Sequence, residues 1–107
     1  MKPELIVALD VPDAEQIPRV IETLPDEVRF YKVGLELFTA NGPDAFSYLK
    51  DKNRKISLDL KLHDIPRTVA RAVKSAAKHG ASLLTVHAGG GNDMLKAAAE
   101  SAGESSI

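Results

Sequence analysis

Four short apolar runs, each followed by apolar residues at helical spacing, leave this chain few folds to adopt. Residues 5–9 are continuously apolar and stop at Asp10, the pattern of a strand buried on both faces with a polar residue at its carboxyl end. Asp13 suits an N-cap, and Ile17, Val20, Ile21 and Leu24 recur at helical spacing up to Pro25. That spacing predicts a helix over 14–24, with Pro18 tolerated near its first turn. The run Phe30-Tyr31-Lys32-Val33-Gly34 reads as a second strand that places Lys32 on the face of Phe30 and Gly34. A helical turn over 36–40 and a helix from Pro43 to about Asn53 follow. A third strand is expected over 56–61, a third helix over 66–79 ended by Gly80, a fourth strand over 82–87 and a fourth helix from about Asn92 to Ala102. The polar tail from Gly103 to Ile107 reads as loose.

Strands that alternate with helices call for a parallel sheet, because a helical crossover returns the chain parallel to the strand it left. Asp10, Lys32, Asp59, Lys61 and His87 all fall at or near strand carboxyl ends. A (β/α) barrel carries its active site there, and an open α/β sheet carries its ligand crevice there. A closed eight-stranded barrel takes roughly 250 residues. With 107 residues, the expected fold class is α/β: a parallel (β/α)4 half of a (β/α)8 TIM barrel, read as one domain over 1–107 without an internal linker. Such a half leaves edges and an apolar face uncovered, which favours self-association.

The 44% hydrophobic content supports a real core, and a net charge of -1 from scattered residues leaves no electrostatic footprint for nucleic acid or a membrane surface. The five-residue apolar run near the N-terminus is too short for a signal-peptide core or a membrane span. Absence of cysteine removes disulfide and thiolate chemistry. The expected location is the cytoplasm.

The chemistry concentrates in Asp59-Leu60-Lys61-Leu62-His63-Asp64-Ile65-Pro66-Arg67-Thr68. Ser57, Asp59 and Lys61 alternate with Leu58, Leu60 and Leu62, so the carboxylate and the ammonium become neighbours on one face of a strand. Inward-facing charges on a strand are costly unless paired, and such a pair is either structural or catalytic. Asp64 could cap the helix that Pro66 opens, Asp10 could cap the turn after its strand, and Lys32 could snorkel to a strand end. His87 reads as a hydrogen-bonded strand-end residue, and the glycines 89–91 as a tight turn lacking the residues of a P-loop. Neither His63 nor His79 shows metal-ligand spacing, so no metal is expected.

The strand ending in Asp10, the Tyr31-Lys32-Val33-Gly34 strand and, above all, Asp59-x-Lys61-x-x-Asp64-Ile65-Pro66 followed by Thr68 resemble the N-terminal half of the orotidine 5'-monophosphate decarboxylase family. Asp-x-Lys-x-x-Asp alone is shared with other sugar-phosphate enzymes; the His-Asp-Ile-Pro-x-Thr extension is more selective. The resemblance implies a homodimeric barrel that converts orotidine monophosphate to uridine monophosphate in de novo pyrimidine biosynthesis, with no metal or organic cofactor. It implies that Lys61 donates the proton to pyrimidine carbon 6, in a charged network of Lys32, Asp59 and Lys61 completed by Asp64 of a neighbouring subunit. Asp10 and Lys32 would contact ribose hydroxyls, the segment from Asp59 to Thr68 would wrap substrate, and Ile65 and Thr68 would reach across the dimer. The family takes its phosphate-gripping arginine and a glutamine-bearing loop from late strands. The resemblance runs only to the approach to the fifth strand, so an isolated half barrel is expected to lack that grip. Two other readings stay open: a magnesium-dependent sugar-phosphate decarboxylase or aldolase relative, which shares the short motif, and a non-catalytic, self-associating half barrel.

Overall fold

Asp13 opens the first helical segment as its N-cap, its carboxylate accepting the N–H of Glu15 at 3.1 Å. The structure, a computed structural model, describes residues 2–107. A 3-10 turn at Ala14–Gln16 precedes α1, Ile17–Ile21, which is shorter than the expected helix over 14–24. Pro18 accounts for part of this, since it has no N–H to close an α-helical bond back to residue 14. The chain divides into two compact units, Met1–Ser57 and Leu58–Ile107.

In the first unit, β1 (Ile6–Ala8) pairs in parallel with β2 (Phe30–Val33), with Ile6 opposite Phe30 and Ala8 opposite Lys32. The expectation that the first strand is buried on both faces does not hold: Leu5 is 66% and Ile6 39% exposed, and only Leu9 is buried. Among the described residues β1 stands at the edge of the sheet, with β2 as its strand neighbour. Helix α2 (Leu35–Asn41) is a full element where a single turn was expected, and a 3-10 stretch Gly42–Phe46 leads into α3 (Ser47–Asp51). Asn53, at φ 60, ends that helix: the N–H of Arg54 reaches back to the Leu49 carbonyl at 2.8 Å. Tyr31, Val33, Leu37, Phe46 and Leu49 are buried. Strand β3 (Lys55–Leu62) starts in this unit, where the Lys55 N–H donates to the Arg29 carbonyl at 2.8 Å.

The second unit contains the rest of β3, α4 (Pro66–Lys78), β4 (Leu83–Val86) and α5 (Asn92–Ser101). Val69 and Val73 of α4 bury themselves against Met94, Ala98 and Ala102, with Leu62, Val86 and Leu95 packed on that cluster. Ala98 of α5 and Ala102 just beyond it contribute small side chains to this cluster. Gly80, at φ 106, ends α4 as expected. The tail is not loose. The Ser106 N–H donates to Ser82 O and Leu84 N–H donates to Ser106 O, both at 2.9 Å, forming a parallel bridge beside β4. Ser105 Oγ donates to Ala81 O at 2.6 Å.

Candidate active site

Each candidate charge sits where a strand ends. The Leu9 N–H donates to the Lys32 carbonyl at 2.9 Å, which carries the β1–β2 pairing one residue beyond Ala8 and delivers Asp10 beside Lys32. Lys32 Nζ and Asp10 Oδ1 lie 4.0 Å apart, with the lysine half-buried and the aspartate exposed. At that distance the pair is an electrostatic association open to water on the aspartate side, not a close hydrogen bond.

In the second unit, Asp59 and Lys61 meet as the period-two pattern requires. Lys61 Nζ donates to Asp59 Oδ1 and Oδ2, each at 2.9 Å. The aspartate side chain is only 15% exposed, the lysine 68%. The carboxylate is therefore the sheltered partner, and the lysine side chain whose ammonium it holds is mostly open to solvent. Thr85 of β4 adds a third bond to the carboxylate: its hydroxyl donates to Asp59 Oδ1 at 2.7 Å. It also accepts the Lys61 backbone N–H at 3.0 Å.

Lys61 has φ 51. That left-handed conformation is unfavourable for a residue with a Cβ and is found where surrounding structure imposes it, often at functional sites. Sequence reasoning missed both this strain and Thr85. The only trace of Thr85 was a hydroxyl residue between Leu84 and Val86, two positions before His87 and so on the same strand face.

Asp64, Ile65 and Thr68 form an exposed run at the start of α4, with Ile65 65% exposed. Asp64 does not cap that helix: Ile65 holds the N-cap position without a side-chain bond, and Asp64 Oδ1 instead accepts the Ile65 N–H at 2.7 Å. His87 accepts the Gly89 N–H on Nδ1 at 2.9 Å, capping the 3-10 turn Ala88–Gly90, and its ring stacks on His63 with centroids 4.6 Å apart. With Nδ1 accepting, the hydrogen of a neutral His87 ring sits on Nε2. Among the described residues, no group of three or more His, Asp or Glu side chains is arranged to hold a metal ion. No helix among them is long and apolar enough to cross a membrane.

Parallel strands with helical crossovers, and paired charges at the strand carboxyl ends, define the class: an α/β chain of the kind that builds barrel enzymes. The sequence pattern of the Orotidine 5'-phosphate decarboxylase / HUMPS family matches residues 3–106, and the chain belongs to that family. Over 101 residues it is 52% identical to an orotidine 5'-phosphate decarboxylase of Nostoc sp., covering 94% of this chain and 42% of that protein. Over 107 residues it is 47% identical to the enzyme of the same name from Fusobacterium nucleatum, covering 100% of this chain and 45% of that protein. The crystal structure of orotidine 5'-phosphate decarboxylase from Lactobacillus acidophilus superposes with a TM-score of 0.86 at 42% identity, covering 99% of this chain and 48% of that one. The Methanocaldococcus jannaschii enzyme, solved with the inhibitor BMP, gives 0.85 at 31% identity over 97% of this chain and 49% of its own. The chain thus spans less than half the length of the curated relatives it matches, and its fold is the α/β half of a TIM barrel.

Proposed function

We propose that this chain supplies the first half of an orotidine 5'-monophosphate decarboxylase barrel, which releases CO2 from orotidine monophosphate to form uridine monophosphate in pyrimidine biosynthesis. The observation that carries the reading is the Lys61 ammonium held by both oxygens of Asp59 at 2.9 Å, on a side chain that is mostly open to solvent. Loss of CO2 leaves an electron pair on pyrimidine carbon 6, so catalysis needs a positive charge placed where the carbanion forms, and a proton to quench it. Lys61 serves both ends in this proposal. Asp59 keeps it aimed, and its own negative charge beside the substrate carboxylate destabilises the ground state.

Lys32 joins the network, Asp64 completes it from a neighbouring subunit of a homodimer, and Asp10 with Lys32 binds the ribose hydroxyls. Ile65 and Thr68 line the substrate across the dimer, which suits their exposure. The reaction in this reading uses neither metal nor organic cofactor.

The test is decarboxylation of orotidine monophosphate, followed by loss of its absorbance, with the chain alone and mixed with the C-terminal half of the Nostoc sp. relative. Turnover in the mixture that disappears with Lys61→Ala is expected. Turnover that survives Lys61→Ala removes the lysine from its role. Magnesium-dependent turnover of a sugar phosphate in place of orotidine monophosphate assigns the chain to the other activity considered for its motif.

A further inference from the structure

We infer that Thr85 is the positioning residue of the Lys61 proton donor: its hydroxyl holds the peptide plane that leads into the left-handed lysine and, through Asp59, fixes the ammonium. The inference rests on the decarboxylase reading for its catalytic consequence, but its geometry stands apart from that reading. A hydroxyl has one proton to give. Asp59 can only accept, so the Thr85 proton goes to Oδ1 at 2.7 Å, and the lone pairs that remain on Oγ1 receive the Lys61 N–H at 3.0 Å. The direction of every bond is then set.

A closed circuit follows: Lys61 backbone N–H to Thr85, Thr85 to Asp59, and Asp59 back to the ammonium of the same lysine at 2.9 Å. Both ends of Lys61 are tied to one anchor on the next strand. The bond from Thr85 to Asp59 is half-buried, and Asp59 is sheltered, so water competes poorly for it. The bond from the Lys61 N–H holds the peptide plane from which φ 51 is turned, so a change of φ swings the Lys61 Cβ, and the ammonium with it, away from Asp59. A left-handed residue needs such over-determination by its surroundings.

A merely structural threonine would behave differently. Valine has the same shape and an equal or better fit to a strand, so a strand-filling role leaves Thr85→Val silent. A positioning role requires the hydroxyl, so Thr85→Val is damaging and Thr85→Ser restores. The first readout is made on the 107-residue chain by NMR: amide hydrogen exchange at Lys61, and the 15N ammonium signal of its Nζ. In Thr85→Val the Lys61 amide should exchange about tenfold faster, the effect of losing one hydrogen bond, and the ammonium signal should broaden or move. The amides of α4 and α5 should keep their protection, and Thr85→Ser should return both signals.

Unchanged Lys61 exchange in Thr85→Val, or failure of Thr85→Ser to restore it, overturns the inference. The second readout is steady-state kinetics of the assembled barrel, where kcat should fall about tenfold in Thr85→Val with KM unchanged, and recover in Thr85→Ser. A faster Lys61 amide with kcat unchanged also overturns the positioning role, since the circuit would then be structural only. If the parent barrel turns over no orotidine monophosphate, the decarboxylase reading fails, while the exchange and ammonium measurements still decide whether Thr85 holds the lysine.

Discussion

Replacing Lys61 by glycine should leave the chain more stable than replacing it by alanine, although glycine ordinarily weakens a strand. Both substitutions delete the ammonium and its bonds to Asp59, so that loss cancels in the comparison. What differs is the backbone. A Cβ in the left-handed region costs about 1–2 kcal/mol, and residue 61 has φ 51. Glycine escapes that cost but loses about 0.5–1 kcal/mol through the greater freedom of its unfolded chain. Taken at mid-range, the remainder favours glycine by about 0.75 kcal/mol, equivalent to roughly 3–6 °C in melting temperature for a chain of this size. Thermal and urea unfolding followed by far-UV circular dichroism measure the difference. Amide exchange in α4 and α5 reports on the unit that contains residue 61. Asn53, at φ 60, is the internal comparison: Asn53→Gly should likewise exceed Asn53→Ala. An alanine variant at 61 as stable as the glycine variant would show that the position carries no strain, and the account of why Lys61 needs an anchor would fall with it.

Two further outcomes test other parts of the fold. At Gly90 an added Cβ would run into the Sδ and methyl of Met94, which is fully buried in the α4–α5 cluster, so Gly90→Ala should cost about 1–3 kcal/mol of stability by urea titration; a neutral result would mean that Met94 can leave the cluster freely. Tyr31 is buried, its hydroxyl donates to Val28 O at 3.1 Å, and desolvation by burial holds its phenol above the ordinary 10.0. The unfolded chain therefore loses that proton first, and the associated stability is present below pH 10.0 and is lost as pH rises toward the folded-state value. Tyr31→Phe should lose about 1 kcal/mol at neutral pH and show a flatter decline above pH 10; an identical alkaline decline in the variant would assign it to other groups.

Much of the fold was legible because its punctuation is local chemistry. Asp13 caps, Pro66 opens α4 and Gly80 ends it, and each works through backbone atoms within a few residues. The Asp59–Lys61 pair was legible for a similar reason, since a period of two decides which side chains are neighbours. Other features had no sequence signature. A lysine does not announce a positive φ as glycine or asparagine does. Thr85 looks like any β-branched strand former, and its partners lie 24 and 26 positions away. The tail pairs beside β4 through backbone groups, with the Ser105 hydroxyl as a further tie, so reading the polarity of Glu104, Ser105 and Ser106 as looseness misled. The apolar run at 5–9 shows what a strand could bury, whereas exposure of Leu5 and Ile6 depends on which neighbours stand beside it.

The strained lysine and the exposed segment after it are opposite solutions to the placement of charge. Asp59, Lys61 and Thr85 lie on adjacent strands whose pairing continues through the His87 N–H to the Leu62 carbonyl at 2.9 Å, so the sheet itself holds them before any reactant arrives. In the proposed reaction, charges held this way need no reorganisation when the carbanion forms beside them. A flexible loop could bring the same groups together only by losing conformational freedom at the moment of reaction. Among the described residues Asp64, Ile65 and Thr68 show no comparable anchoring: Asp64 accepts the amide next to it, and Ile65 presents an apolar side chain to solvent. Lys61 therefore sits where one chain can fix it alone, and the run after it is placed where an apolar surface gains most by being covered. The proposed division of labour, a proton donor fixed within the subunit and a substrate clamp shared between subunits, matches that difference in anchoring.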